Sequence, residues 1–105
     1  MLKITEMAIE CCREVGPIAK QVAKHDKWLA DQMRRAMTSV ALNSAEGTGF
    51  YDGNGRQRFK TALGSAREVD VALQVAEAFE YVDSLDETLM KKLDSIRAQL
   101  WRLIH

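Results

Sequence analysis

Ser39, Asn43 and Glu46, joined later in the chain by Ser65 and Glu68, are the residues whose types and spacing suit chemistry. Gln32, Ser39, Asn43 and Glu46 fall at i, i+7, i+11 and i+14, so on a helix they share one side. Carboxylates, hydroxyls and an amide gathered among small and apolar neighbours could form a ligand or catalytic pocket. The same set could form a hydrogen-bond network that fixes the register of two helices, because buried polar groups need partners. A nucleophile beside a base would favour catalysis, and none accompanies these residues. The network is therefore the expected role, and no enzymatic activity is expected.

Other chemistries fit the sequence less well. His25 and His105 should lie at opposite ends of a helical chain path, and no Glu-x-x-His pair of the di-iron type exists. Cys11 and Cys12 are adjacent, which is not zinc-ligand spacing. On a helix their side chains diverge by about 100°, which does not suit a disulfide. Two reduced thiols are expected, with Cys11 packed as a small hydrophobe. Gly53-Asn54-Gly55 lacks the lysine and hydroxyl of a phosphate loop. No metal or cofactor is expected.

Charge is balanced overall, with 15 basic and 15 acidic residues, so the whole chain lacks the basic footprint of many nucleic-acid binders. Its distribution is uneven. Gly53 to Arg67 holds Arg56, Arg58, Lys60 and Arg67 and no acid, whereas Glu68 to Glu87 holds seven acids and no Lys or Arg. An up-down helix path returns Arg97, Arg102 and His105 towards Arg56 and Arg58. Positive charge would then gather at one turn, where Phe50 and Tyr51 could stack on unpaired bases. The alternative is a solvated charged face with the loop aromatics folded back. Lys20, Lys24, Lys27, Arg34 and Arg35 form a second, weaker basic group, expected at the opposite end and diluted by Asp26 and Asp31.

Helices must position all of these residues. The chain has one proline in 105 residues, and Ala, Leu, Glu and Lys are abundant. The first helix is expected over about 2–24, with the stripe Ile4, Ala8, Cys11, Val15, Ile18, Val22. Gly16-Pro17 should kink it. Asp26 is the expected N-cap of the second helix, whose stripe is Leu29, Met33, Ala36, Val40, Gly47, with Ser44 close by. Gly47 or Gly49 should end it in the left-handed conformation. Asn54 is the candidate N-cap of a third helix reaching about Tyr81, with the stripe Phe59, Ala62, Ala66, Val69, Leu73, Ala76. A further apolar set, Val71, Val75, Ala78 and Phe79, lies round its other side. Gly64 among small residues should permit close helix approach. Ser84 to Glu87 reads as a capping box before the fourth stripe: Leu85, Leu89, Leu93, Ile96, Leu100, Leu103. Met90, Trp101 and Ile104 sit beside that stripe and are candidates for a partner surface.

Four long helices with short connections predict one all-α domain over residues 1–105: an antiparallel up-down-up-down four-helix bundle. The surplus apolar surface predicts a homo-oligomer. The N-terminus lacks the apolar run of a secretion signal, no segment reaches the roughly 20 apolar residues of a membrane span, and a reducing cytoplasm is expected.

The run Ser39-Val40-Ala41-Leu42-Asn43-Ser44-Ala45-Glu46-Gly47-Thr48-Gly49 resembles the S-I-x-x-N-I-A-E-G-x-G signature of the four-helix-bundle proteins encoded by intervening sequences of bacterial 23S ribosomal RNA. Arg34-Arg35-Ala36, Arg58-Phe59 and Ala62-Leu63-Gly64-Ser65-Ala66-Arg67-Glu68 resemble the same family's flanking elements. The chain departs from the signature at Ser44, where Ile is common, and at Phe50, where Arg is usual. The resemblance implies a ring-like homopentamer with RNA binding as the expected activity. It also implies kinship with the accessory protein of diversity-generating retroelements, which binds a reverse transcriptase and nucleic acid. RNA, DNA or a protein are thus the candidate partners, and a protein-interaction scaffold without nucleic acid is the alternative.

Overall fold

The computed structural model describes residues 2–49 and 53–105. Four helices follow in chain order: α1 (Lys3–Val22), α2 (Lys27–Gly47), α3 (Gly53–Ala78) and α4 (Glu87–Ile104). The described residues contain no strand. α1 packs on α2 and α4, and α3 packs on the same two, so the helices close a four-membered ring. Ser65 meets Ser39 while Arg58 meets Asn43 and Glu46, so α2 and α3 run in opposite directions. Lys92 meets Glu10 and Glu14, and Leu103 shares a groove with Leu2, which sets α4 antiparallel to α1. Among the described residues no helix is long and apolar enough to cross a membrane.

The helical period places the core. The expected stripes of α2 and α3 are buried throughout, and they join Ile4, Ala8, Cys11 and Val15 of α1 and Leu89, Leu93, Ile96 and Leu100 of α4 in one cluster. Three stripe positions differ, the first being Leu85, which lies before α4 and is half-buried. After Pro17 the buried edge of α1 passes through Ala19 and Val22, leaving Ile18 half-buried. In the last turn of α4, Ile104 is buried and Leu103 exposed. Stepping four residues from Leu100 keeps the side chain facing the core, and stepping three turns it to the rim. Ile104 is therefore core, not partner surface. Met90 is half-buried, and Trp101 is exposed as expected. α1 continues unbroken through Pro17.

The helix ends depart from several expectations. Asp26 does cap α2, accepting a bond from the Leu29 N–H at 2.9 Å. α2 ends at Gly47, but the following Thr48 is right-handed, at φ −72°. No described glycine has positive φ, so Gly47 and Gly49 do not supply a left-handed stop. α3 already begins at Gly53, which puts Asn54 in its first turn and not at the cap. α3 ends at Ala78, and Glu80 takes the left-handed position at φ 61°. Tyr81 N–H reaches the Ala76 carbonyl and Glu80 N–H that of Glu77, at 2.9 Å each. That is the Schellman pattern with glutamate where glycine is usual. Asp86, not Ser84, caps α4 by accepting from the Thr88 N–H at 2.9 Å. Leu85 instead gives its N–H to the Glu77 carboxylate at 3.0 Å.

Candidate functional site

Part of the polar flank of α2 hydrogen-bonds to α3. Ser65 Oγ donates to Ser39 Oγ at 2.7 Å, and Asn43 Nδ2 donates to the same oxygen at 3.0 Å. Arg58 then approaches the Asn43 amide oxygen at 3.4 Å and the Glu46 carboxylate at 3.1 Å. Ser39, Asn43 and Ser65 are half-buried, while Glu46 and Arg58 sit at the exposed rim. The set links two helices and contains no nucleophile paired with a base. Glu46 binds Arg58 through its side chain, and its backbone carbonyl accepts from Gly49 N–H at 3.1 Å. Glu68 stays outside the network, exposed beside an apolar groove.

The two motif glycines have opposite surroundings. A Cβ on Gly47 would lie 2.6–2.9 Å from three atoms of the Phe59 ring, so Gly47 lets the ring close over α2. A Cβ on Gly64 would meet nothing within 4 Å, and the residue is exposed. The expected close approach at Gly64 does not occur within the chain. Ser44 is fully buried, with a hydroxyl that finds no partner among the described residues. This is the position where the resembled signature carries isoleucine.

The basic candidates separate into free and engaged groups. Arg56 and Lys60 are exposed and take part in no ion pair among the described residues. Arg102 is also exposed, in the last turn of α4. His105 follows it, stacked on Trp101 with ring centroids 4.2 Å apart. Arg97 does not join the cluster. It is held between Asp94 at 2.8 Å and Asp70 at 3.7 Å on the α3–α4 seam. The reason is its level on α4, which sets it opposite Asp70 of α3. Arg34 and Arg35 are not at the far end of the bundle. They sit near the middle of α2 and line a shallow groove with Thr38, Ser39, Leu42 and Asn43. Sequence spacing had already set Arg34 and Arg35 seven or eight residues from Lys27, about 11 Å along a helix. Phe50 and Tyr51 lie outside the described residues.

Two further features escaped the sequence reading. At the far end, His25 stacks flat on Tyr81, with centroids 5.1 Å apart and planes 5° from parallel, and Phe79 adjoins Tyr81 at 5.5 Å. This joins the α1–α2 connection to the segment after α3. The second feature is an open groove of about 550 Å³ lined by Trp28, Gln32, Arg67, Glu68, Val71 and Val75. Trp28 is 71% exposed and Val71 58%. The second apolar set on α3 predicted the Val71 side of this groove. Trp28 fell off every core stripe, and that was the signal for the other side.

Both cysteines are free. Burial, with help from Glu14, pushes the Cys11 thiol up to about 11. Burial also raises Cys12, whose sulfur faces the Met37 carbonyl at 4.0 Å. The Lys92 ammonium is held charged above its ordinary range by its bond to Glu14 at 3.2 Å. Among the described residues no three His, Cys, Asp or Glu side chains gather as a metal site.

The class these features define is an all-α four-helix bundle whose α2–α3 seam is set by a hydroxyl–amide network and a glycine under an aromatic ring. The chain matches the family described as 23S rRNA-intervening sequence protein over residues 1–102 and belongs to that family. Among solved structures it is similar to a Bacteroides thetaiotaomicron protein of unknown function from the S23 ribosomal protein family. The two share 19% identity at a TM-score of 0.85, covering 96% of this chain and 97% of the other. That likeness shows the fold. No curated protein matches the chain.

Proposed function

We propose that this chain is a non-enzymatic, self-associating cytoplasmic bundle that binds RNA at the end formed by the start of α3 and the close of α4. The observation that carries this reading is the pairing state of the cations. Arg56 and Lys60 stand exposed and pair with no carboxylate among the described residues, in a stretch that holds no acid from Gly53 to Arg67. Free cations are the ones that release counterions when a phosphate arrives. Arg102 belongs to the same end, while Arg58 acts mainly by tying the end to Asn43 and Glu46. Membership of a family named for 23S ribosomal RNA intervening sequences makes RNA the ligand to try first. Self-association into a ring, five copies by the resemblance, would repeat the patch and add phosphate contacts. DNA would be taken up through the same backbone chemistry, less the 2′-hydroxyl contacts.

A mobility-shift titration with a structured RNA tests the reading. Wild type should bind in a manner that weakens steeply with salt, and Arg56→Ala/Lys60→Ala should bind less tightly. Equal, salt-insensitive binding by both would overturn it. Sedimentation at micromolar concentration tests the assembly, and a monomer would refute it.

A second reading is favoured by the groove at Trp28, Val71 and Val75. Exposed apolar surface of this kind marks contact with protein. On that reading the chain is a scaffold for a protein partner, and a stoichiometric partner that co-purifies without RNA would support it.

A further inference from the structure

Residues 32–45 of α2 contain no acid, and neither do residues 53–67 of α3. The fold lays these two stretches side by side, joined at Ser39 and Ser65. Together they carry Arg34, Arg35, Arg56, Arg58, Lys60 and Arg67, while Glu46 is the acid between them on the described part of the pair. We infer that the outer groove of α2 is a track for the sugar–phosphate backbone of an RNA strand, running from the α3 start past Asn43 and Ser39 to Arg35 and Arg34. This rests on the RNA-binding reading and adds a direction to it: along α2, not across the bundle end to Arg97.

The groove has a volume of about 400 Å³ and is lined by Arg34, Arg35, Thr38, Ser39, Leu42 and Asn43. Arg34 makes no ion pair among the described residues. Arg35 has one partner, Asp31 at 2.9 Å, with the two side chains 74% and 52% exposed. Such surface pairs hold weakly and are screened by salt, so a phosphate can displace the carboxylate. Ser39 Oγ accepts from both Asn43 and Ser65, which leaves its own proton for an incoming acceptor. Leu42, 58% exposed, gives an apolar surface between the arginines and the turn. Nine residues separate Arg34 from Asn43, about 14 Å of helix, and Arg58 at Asn43 carries the positive line onto α3. Arg97 is excluded because its side chain, only 23% exposed, is held on the α3–α4 seam beside Asp70 and Asp94.

The test is fluorescence anisotropy with labelled oligouridylate across a potassium chloride series. Five proteins are compared: wild type, Arg34→Ala/Arg35→Ala, Arg34→Lys/Arg35→Lys, Arg56→Ala/Lys60→Ala, and the control Arg13→Ala/Lys91→Ala, which removes the same charge from exposed positions on α1 and α4. The groove variant should lose about tenfold in affinity, and its log–log salt slope should fall by about 1.4, as expected for two phosphate contacts to a single strand. The Arg13/Lys91 control should match wild type. Arg34→Lys/Arg35→Lys keeps the charge and should keep the slope, which separates lost contacts from lost folding. If the groove variant matches the control while the Arg56/Lys60 variant weakens, the track is wrong and the binding end stands. If wild type itself binds without salt dependence, the RNA reading and the track fall together.

Discussion

Across the α2–α3 seam, Ser65 donates to Ser39 and the Phe59 ring covers Gly47. Across the α1–α4 seam, the Lys92 ammonium lies 3.2 Å from Glu14 and 3.8 Å from Glu10, within electrostatic reach of the buried Cys11 thiol. The first seam relies on neutral hydrogen bonds and shape, with one ion pair among the described residues, Arg58–Glu46, at the rim. The second relies on groups that titrate. Two sides of one small bundle should therefore answer to different solution conditions, and the seam bearing the family signature should be the insensitive one.

Alkali should give the largest effect. The Cys11 thiol keeps its proton in the fold up to about 11, against 9.0 in the open chain. The raised value means that the folded chain binds more protons than the unfolded one between these limits. Stability is intact below pH 9 and falls as pH rises towards 11, by about 1.4 kcal/mol per unit at most. The Lys92 shift has the same sign. Urea melts from pH 8 to 11 should show this loss, and Cys11→Ala should flatten it. An unchanged slope in the variant would remove Cys11 from the account.

Next comes shape. Gly47→Ala puts a methyl group against the Phe59 ring and should cost about 2 kcal/mol. Gly64→Ala meets open space and should leave the chain as stable or up to about 1 kcal/mol more so. Paired thermal melts check both, and equal losses would break the contrast between the glycines. Ser39→Ala takes one acceptor from both Asn43 and Ser65 and should cost about 1 kcal/mol, with little change between low and high salt. Lys92→Met should have the smallest effect, vanishing in high salt, because its pairs are partly exposed. A Lys92→Met cost larger than that of Ser39→Ala would reverse the comparison.

Much of this was legible in the sequence. The core stripes of α2 and α3 followed from the period, because burial selects side chains every three or four residues. The Ser39–Asn43–Glu46 flank was legible for the same reason. Helix ends were less so. Gly47 reads as a left-handed stop, but its missing Cβ serves a ring twelve residues away, and no local pattern contains that ring. Glu80 is the converse, a left-handed residue that nothing in its side chain announces. Arg97 was misplaced because the level at which it meets Asp70 depends on where two helices start. The Trp28–Val75 groove joins residues 28–32 of α2 to residues 67–75 of α3, and only its α3 half stood out as surplus apolar surface.

α3 spans 26 residues and α4 only 18. Since Arg97 pairs with Asp70, Ile104 of α4 comes level with about residue 63 of α3. The first ten residues of α3 therefore extend past the end of α4 and lack its cover. Amide hydrogen exchange should reveal this overhang as a gradient. Protection should be deepest near Val69 and Leu73, where neighbours lie on both sides, and should decline towards Gly55 through local opening that leaves the rest of the bundle closed. A segment that opens alone can reshape itself around a ligand without unfolding the domain that carries it.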